Sequence, residues 1–185
     1  MSSVMSLFPL LVVGLIAWGA AVAIRRAYAK QRPNIGGEGG VGGWLLLLIV
    51  AFVFLGPLMG AAKLNSEIMA AEVQNSGIKA LDAWLNYKAA AWWTHAVTSG
   101  LSIYAGVGLL RGKTMTSVTL AKVVLWVIGP IASVVLGVAL PRIMFGSFEY
   151  DAGVTSSLVA SAIGAGVWHA YLSRSKRVQA TYGLQ

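Results

Sequence analysis

The stretch Val41-Gly42-Gly43-Trp44-Leu45-Leu46-Leu47-Leu48-Ile49-Val50 decides the fold, because a glycine-rich linker changes there into uninterrupted apolar sequence. The apolar run continues to residue 62, and at about 1.5 Å per residue a helix of this length covers most of a hydrocarbon core of about 30 Å. Gly56-Pro57 interrupts the run, and the missing N–H of Pro57 predicts a kink. The stretch therefore opens a predicted membrane span.

The composition also places the chain in lipid. Of the 185 residues, 57% are hydrophobic and 11% are charged, whereas about a quarter of the residues in a soluble domain are charged. The chain has no cysteine, which excludes disulfides, thiolate metal ligands and cysteine nucleophiles. The net charge of +8 comes from bases at the ends of apolar runs. This placement predicts that the bases set the membrane topology and contact anionic lipid head groups. We therefore expect no nucleic-acid partner.

Residues 1–32 form the first predicted domain, with an apolar run over residues 7–24. The run is followed, and not preceded, by basic residues: Arg25, Arg26, Lys30 and Arg32. This order favours a retained signal anchor with the amino terminus outside. The alternative is a cleaved signal peptide, since Ala21-Val22-Ala23 resembles a cleavage site. Residues 33–43 form a glycine-rich linker, for which a flexible tether is favoured over a phosphate-binding loop.

Residues 44–185 are predicted to form a four-span membrane core, so that the fold class is all-α, a polytopic transmembrane helix bundle of five spans. The spans of the core are residues 44–62, 90–110, 120–140 and 154–172. Between the first two of these, residues 63–88 are predicted to form an outer amphipathic segment. Ile78, Leu81 and Leu85 recur there at helical spacing, which suits a helix on the membrane surface or one that caps the bundle.

Small residues at helical spacing predict where the spans pack closely. The expected helix-packing positions are Gly56, Gly60, Gly129, Ser133, Gly137, Ser157 and Ser161. Gly129-Pro130 repeats, two spans later, the break made by Gly56-Pro57. The last span is poor in bulky side chains, so we expect it to lie in the middle of the bundle rather than against lipid.

The basic residues predict the orientation, because they accumulate on the cytoplasmic side. With the amino terminus outside, the inner side receives Arg25, Arg26, Lys30, Arg32, Arg111, Lys113, Lys122, Arg174, Lys176 and Arg177. The outer side receives Lys63, Lys79, Lys88 and Arg142, together with five of the six acids. The carboxyl terminus is therefore predicted to be cytoplasmic.

His95 and His169 are the only histidines. They fall near opposite ends of predicted spans, about 20 Å apart in depth, which excludes a haem or a metal ion held by both. His95, Ser99 and Ser102 share one helical face, and His169 shares a face with Ser161. Such groups either hydrogen-bond between helices or form a proton or ion relay. Hydrogen bonding is favoured, because no Asp or Glu lies within a predicted span.

A lipid head-group contact is predicted at Arg174, Lys176 and Arg177, with a stop signal that fixes the last span as the alternative. Serine hydrolase chemistry needs a carboxylate beside a histidine and a nucleophile elbow, and the sequence shows neither pattern. We therefore predict no catalytic residue and no cofactor.

Two motifs carry a family resemblance. Gly42-Gly43-Trp44-Leu45 opens the second span, and residues 168–182 close the chain in the pattern W-x-x-Y-L-x-x-S-K-R-V-x-x-T-Y. Over about residues 35–182 the chain resembles a family of small four-span bacterial inner-membrane proteins of unknown function. The resemblance implies a four-span fold and an inner-membrane location, but no activity and no catalytic residues. The extra N-terminal span departs from the pattern of the family.

The sequence thus predicts a non-catalytic integral membrane protein, acting as an accessory, assembly or stabilising subunit of a larger membrane complex. Its expected partners are membrane lipids and other membrane protein subunits. The alternative is a small transporter or channel with His95 or His169 in a polar pathway, because matched Gly/Pro breaks in two spans can mark a transport site.

Overall fold

The computed structural model describes residues 41–112, 114–146 and 152–182. The predicted span over residues 7–24 and its basic flank lie outside these residues, as does all of the linker before residue 41. The helices of the described part are α1 (Trp44–Gln74), a 3-10 helix (Ser76–Ala80), α2 (Asp82–Gly112), α3 (Met115–Phe145), α4 (Ala152–Arg174) and α5 (Lys176–Tyr182). The described residues contain no strand, so the all-α prediction is confirmed for them.

The four long helices run alternately up and down, and α1, α2 and α3 each pack against the next helix in the chain. We call the two ends of the bundle the Gly43 end and the Gly77 end, after the residues that lie there. The Gly43 end holds the start of α1, the turn between α2 and α3, and α5. The Gly77 end holds the 3-10 helix and the end of α3.

Two of the helices, α1 and α3, are long and apolar enough to cross a membrane, and each has 31 residues. They indicate a membrane protein. The helices α2 and α4 include the other two predicted core spans, residues 90–110 and 154–172. The bundle of five spans stays a prediction.

Each Gly-Pro pair lies within or directly after a π-helical turn of a long helix. The first turn, Ala51–Leu55, comes immediately before Gly56-Pro57, and the second, Val127–Ile131, contains Gly129-Pro130. A proline interrupts the ladder of backbone hydrogen bonds because it has no N–H, and a π turn is one local adjustment that accommodates the loss. A third such turn, Val135–Ala139, follows in α3.

The main core lies between the four long helices and extends to the Gly43 end. Its fully buried members include Leu45, Leu48, Ile49, Val53, Leu109, Leu110, Val118, Leu172 and Val178. A second cluster, around Leu64, Ile68, Trp84 and Ala91, closes the Gly77 end. The short helix α5 belongs to the main core through Val178 and Tyr182, so the closing motif is part of the packed structure.

Two regions differ from the sequence-based expectation. Residues 63–88 do not form a separate amphipathic helix: α1 continues to Gln74, a 3-10 helix follows, and α2 begins at Asp82. Both long helices extend past the predicted ends of their spans, because packing between Ile68 and Trp84 stabilises the added turns. Helix α4 does not lie in the middle of the described bundle, because only Ala165 and Leu172 of its described side chains are buried.

Candidate functional site

The predicted polar face of α2 packs against α1. Burial is deep for the three polar side chains, since His95 is 7% exposed, Ser99 is 4% exposed and Ser102 is 3% exposed. Gly106 continues the same face, and a Cβ added there would lie 2.6 Å from Cγ2 of Val53. We call this contact the α1–α2 seam; it comprises His95, Ser99, Ser102 and Gly106 of α2 with Phe52, Gly56 and Gly60 of α1.

Ser102 occupies the point of the seam where α1 is irregular. Its hydroxyl donates a hydrogen bond of 2.7 Å to the carbonyl oxygen of Phe52. In a regular α-helix this carbonyl would accept from Gly56, but the N–H of Gly56 donates to Ala51 in the π turn. Pro57, the partner that a π turn would offer Phe52, has no N–H. The serine therefore satisfies a backbone acceptor that α1 leaves without its regular helical partner.

His95 lies about two turns of α2 from Ser102, toward the Gly77 end, and it packs against Gly60. A Cβ on Gly60 would lie 2.7 Å from Cε1 of the imidazole, so only glycine leaves room for the ring. Nε2 of His95 is 3.3 Å from the hydroxyl of Ser99, and the indole of Trp92 meets the ring edge-on with centroids 6.0 Å apart. The small-residue pair Gly56 and Gly60 thus faces the predicted polar residues of the next helix.

The second group of predicted packing residues lies between α3 and α4. A Cβ added to Gly129 would lie 3.5 Å from the carbonyl oxygen of Ser161, and one added to Gly137 would lie 3.1 Å from Cγ1 of Val154. Because a π turn contains about one residue more than an α turn, residues four apart in this part of α3 stay on one side. Half-buried Ser133 lies between the two glycines in the chain.

The serines of α4 bond to their own helix. Ser157 donates to the carbonyl of Val154 at 2.9 Å, and Ser161 donates to the carbonyl of Leu158 at 2.8 Å. Both side chains are half-buried. Ser161 packs closely against Gly129 of α3, and among the described residues neither serine has a hydrogen bond to another helix.

His169 belongs to the α3–α4 contact and not to the α1–α2 seam. The indole N–H of Trp126 donates to its Nδ1 at 3.3 Å. The two histidines therefore lie at different helix contacts. Among the described residues there is no group of three or more His, Cys, Asp or Glu side chains that could hold a metal ion.

The two motifs that carry the family resemblance meet at the Gly43 end. The rings of Trp44 and Trp168 have centroids 6.3 Å apart. The guanidinium of Arg177 lies against the glycines before Trp44, because a Cβ on Gly43 would be 2.8 Å from its Nη1. Tyr182 at the end of the closing motif donates to the carbonyl of Leu109 at 2.6 Å.

The predicted lipid-contact residues separate into two kinds. Arg174 and Lys176 are exposed at the Gly43 end. Arg177 is also exposed, but its guanidinium packs against the opening motif. Its role therefore includes holding the two motifs together.

A charged cluster at the Gly77 end was not predicted from the sequence. Oε1 of Glu72 accepts from Nζ of Lys88 at 2.7 Å and from the indole N–H of Trp84 at 3.0 Å. Nζ of Lys79 lies 3.9 Å from Oε2. Glu72 lies on α1 about 15 Å beyond the end of the predicted span at residue 62. The hydrogen bonds from Lys88 and then Trp84 hold the pKa of Glu72 below its usual value.

The sequence contains part of the pattern that would predict this cluster. Trp84 and Lys88 are four residues apart, so they share a face of α2. Glu72, however, belongs to the preceding helix, and the sequence does not specify the turn that brings the helices together. The stacked rings of Trp84 and Tyr87, with centroids 5.4 Å apart, complete the packing.

Comparison with known proteins gives one match. Residues 38–183 match the model of a family that is described as "Protein of unknown function (DUF2569)". No curated protein and no solved structure matches the chain. The matched range includes both motifs and all the described helices.

Proposed function

The chain belongs to the DUF2569 family, whose function is not established, and we propose that it is a non-catalytic accessory, assembly or stabilising subunit of a larger membrane complex. The proposal includes multi-pass insertion in a bacterial inner membrane, with the amino terminus outside and the carboxyl terminus cytoplasmic. Its partners are other membrane protein subunits and membrane lipids.

The observation that carries the proposal is the use of polar groups in the α1–α2 seam. Ser102 satisfies the carbonyl of Phe52, and the ring of His95 fills the space above Gly60 and approaches Ser99. In the described residues, every buried side-chain nitrogen or oxygen has a hydrogen-bond partner. The bond from Ser102 joins two helices, and the seam leaves no buried side-chain donor or acceptor free to bind a substrate, which favours a structural role.

The outward faces of the helices support association within the membrane. On α2, Trp93 is 71% exposed, Val97 is 59% exposed and Tyr104 is 66% exposed, and these side chains recur along one face. Wide apolar faces of this kind pack against lipid or against helices of another subunit. An exposed face that contains large aromatic rings suits a protein partner, because such rings contribute much of the contact energy at interfaces.

The experiment is site-specific photo-crosslinking followed by mild-detergent purification from native membranes. A photoreactive residue is placed at Tyr104 on α2 or, as a matched exposed position, at Ile163 on α4. We expect Tyr104 to give one dominant protein adduct that co-purifies in stoichiometric amount with the unmodified chain. A monodisperse monomer without an adduct at either position would contradict the proposal.

A second candidate function, a small transporter or channel, is favoured by the irregular backbone at both Gly-Pro pairs. Interrupted helices with free carbonyls can form ion sites near the centre of a membrane, and π turns are frequent at functional sites. Purified protein in proteoliposomes separates the two functions. Ion or solute flux that is lost in His95→Ala or His169→Ala would support transport, and the absence of flux would support the accessory role.

A further inference from the structure

The contact between Trp126 and His169 fixes which ring nitrogen of the histidine presents a donor. The indole N–H donates to Nδ1 at 3.3 Å, and the rings meet at an interplanar angle of 65°. A neutral imidazole that accepts at Nδ1 carries its hydrogen on Nε2. Among the described residues, Nε2 of His169 has no hydrogen-bond partner. The ring is half-buried, so this N–H is available to a ligand.

A lysine lies one helical turn from this contact, on the facing helix. Lys122 precedes Trp126 by one turn of α3, and Ser173 follows His169 by one turn of α4. Because the two helices are antiparallel, Lys122 and Ser173 both lie on the Gly43 side of the Trp126–His169 contact. Lys122 is half-buried and forms no salt bridge with a described residue. Its charge is therefore available to an anion.

The depth of the group suits the head-group region of a membrane. Helix α3 has 31 residues, or about 46 Å, and exceeds a hydrocarbon core of about 30 Å by several ångströms at each end. Lys122 lies about 10 Å from the start of α3 at Met115. This position is close to the boundary between acyl chains and head groups, where lysine and tryptophan side chains concentrate.

The surrounding charge favours an anion. In the described part of the chain, the Gly43 end holds five bases and no acid: Arg111, Lys122, Arg174, Lys176 and Arg177. All three described acids, Glu67, Glu72 and Asp82, lie at the Gly77 end. Val123, which follows Lys122 in α3, is 55% exposed. An apolar side chain beside a cation suits a ligand that has acyl chains as well as a phosphate.

From this geometry we propose that the groove between α3 and α4 at the Gly43 end binds the phosphate of an anionic phospholipid, with Lys122 and Nε2–H of His169 as its donors. Basic pockets between membrane helices are known to hold such head groups. The lipid chains lie along Val123. The inference rests on the membrane insertion in the proposed function, but not on the presence of a partner subunit.

The test is native mass spectrometry of the full chain in detergent, titrated with phosphatidylglycerol or phosphatidylcholine. We expect the wild type to retain phosphatidylglycerol in preference to phosphatidylcholine. Lys122→Gln is expected to weaken phosphatidylglycerol binding about fivefold, a typical contribution of one lysine at an anionic surface. Lys122→Arg is expected to restore it. The charge-matched control is Arg111→Gln, which removes a base from the same end but from α2, and it is expected to change binding less than twofold.

Trp126→Phe provides a second test at a different residue. It removes the indole N–H that holds His169 in its tautomer, and it leaves the charge unchanged. We expect phosphatidylglycerol binding to fall at least twofold, which also tests the site if Lys122→Gln fails to fold. Equal losses in Lys122→Gln and Arg111→Gln would mean diffuse charge attraction and would overturn the site. Equal retention of the two lipids, or displacement of lipid by an equal concentration of inorganic phosphate, would overturn the phospholipid assignment.

Discussion

The hydroxyl of Tyr182 donates a hydrogen bond of 2.6 Å to the carbonyl oxygen of Leu109. Leu109 is in the last turn of α2, where carbonyls have no partner within the helix. Both side chains are buried, at 4% and 0% exposure. Burial raises the pKa of Tyr182, so that the phenol stays protonated and keeps its donor. Tyr182, the last residue of the closing motif, thus caps the carboxyl end of α2, a helix in the middle of the sequence.

Tyr182→Phe tests this cap. The variant keeps the ring in the core but leaves the carbonyl of Leu109 buried without that donor, which costs about 1–3 kcal/mol. We expect a lower melting temperature in detergent and faster proteolysis of α5. The control is Tyr104→Phe, which removes the same hydroxyl from a side chain that is 66% exposed. Equal melting temperatures for the two variants would show that the cap contributes nothing.

Gly43→Ala tests the junction between the two motifs. Gly43 has φ of 57°, a conformation that costs a residue with a side chain about 1–3 kcal/mol. The new methyl group would also displace the guanidinium of Arg177. We expect a clear loss of thermal stability in detergent. The neighbouring change Gly42→Ala is the control, because a Cβ there would lie 3.4 Å from Nη1 of Arg177 and the backbone is not left-handed.

Ser102→Ala should destabilise the α1–α2 seam. The carbonyl of Phe52 would lose the donor that substitutes for its helical partner, at a cost of about 1 kcal/mol. The matched control is Ser156→Ala, since the hydroxyl of Ser156 is exposed and bonds to Gly153 in its own helix. Denaturation in mixed micelles measures the stability of both variants. If Ser156→Ala is as destabilising as Ser102→Ala, the interhelical bond has no special role.

The periodicity of α2 was enough to predict that His95, Ser99 and Ser102 share a face, because four-residue spacing alone sets that relationship. Spacing also predicted that Gly56 and Gly60 would let another helix approach. It did not predict which backbone group Ser102 would bind, because that carbonyl is free only when a π turn forms. Sequence patterns record the proline but not the way in which the helix adjusts to it.

The Glu72 cluster and the position of α4 show a different limit. Glu72 and Lys88 are 16 residues apart, and their contact depends on the geometry of the turn between two helices. The small side chains of α4 predicted a central helix, but small residues on only one side suffice for its packing against α3. Composition therefore indicated that α4 packs closely, without indicating on how many sides.

Glu72→Gln should lower stability in a manner that depends on pH. The pKa of Glu72 is held below its ordinary value of 4.5, chiefly by the hydrogen bond from Lys88. A lowered folded-state pKa stabilises the protein above the unfolded value, and this contribution is lost as the pH falls through the folded value. We expect the difference in melting temperature between wild type and variant to be largest at neutral pH and to shrink below about pH 4.5.

Glu67→Gln is the control for the cluster. Glu67 pairs with Lys63 at 3.7 Å, and both side chains are more than 60% exposed, so the pair contributes little. Its variant should melt close to the wild type across the same pH range. A pH-independent difference for Glu72→Gln would point to lost packing and not to the charge.

Reporter fusions test the proposed orientation. The five bases and absent acids among the described residues of the Gly43 end favour its retention on the cytoplasmic side. Green fluorescent protein fused after Gln185 should therefore fluoresce, and alkaline phosphatase inserted at Gly77 should be active. The exchanged pair, phosphatase after Gln185 and fluorescent protein at Gly77, should both be silent. An active phosphatase after Gln185 would place the basic end outside, and the proposed phospholipid groove at that end would then bind lipid of the outer leaflet.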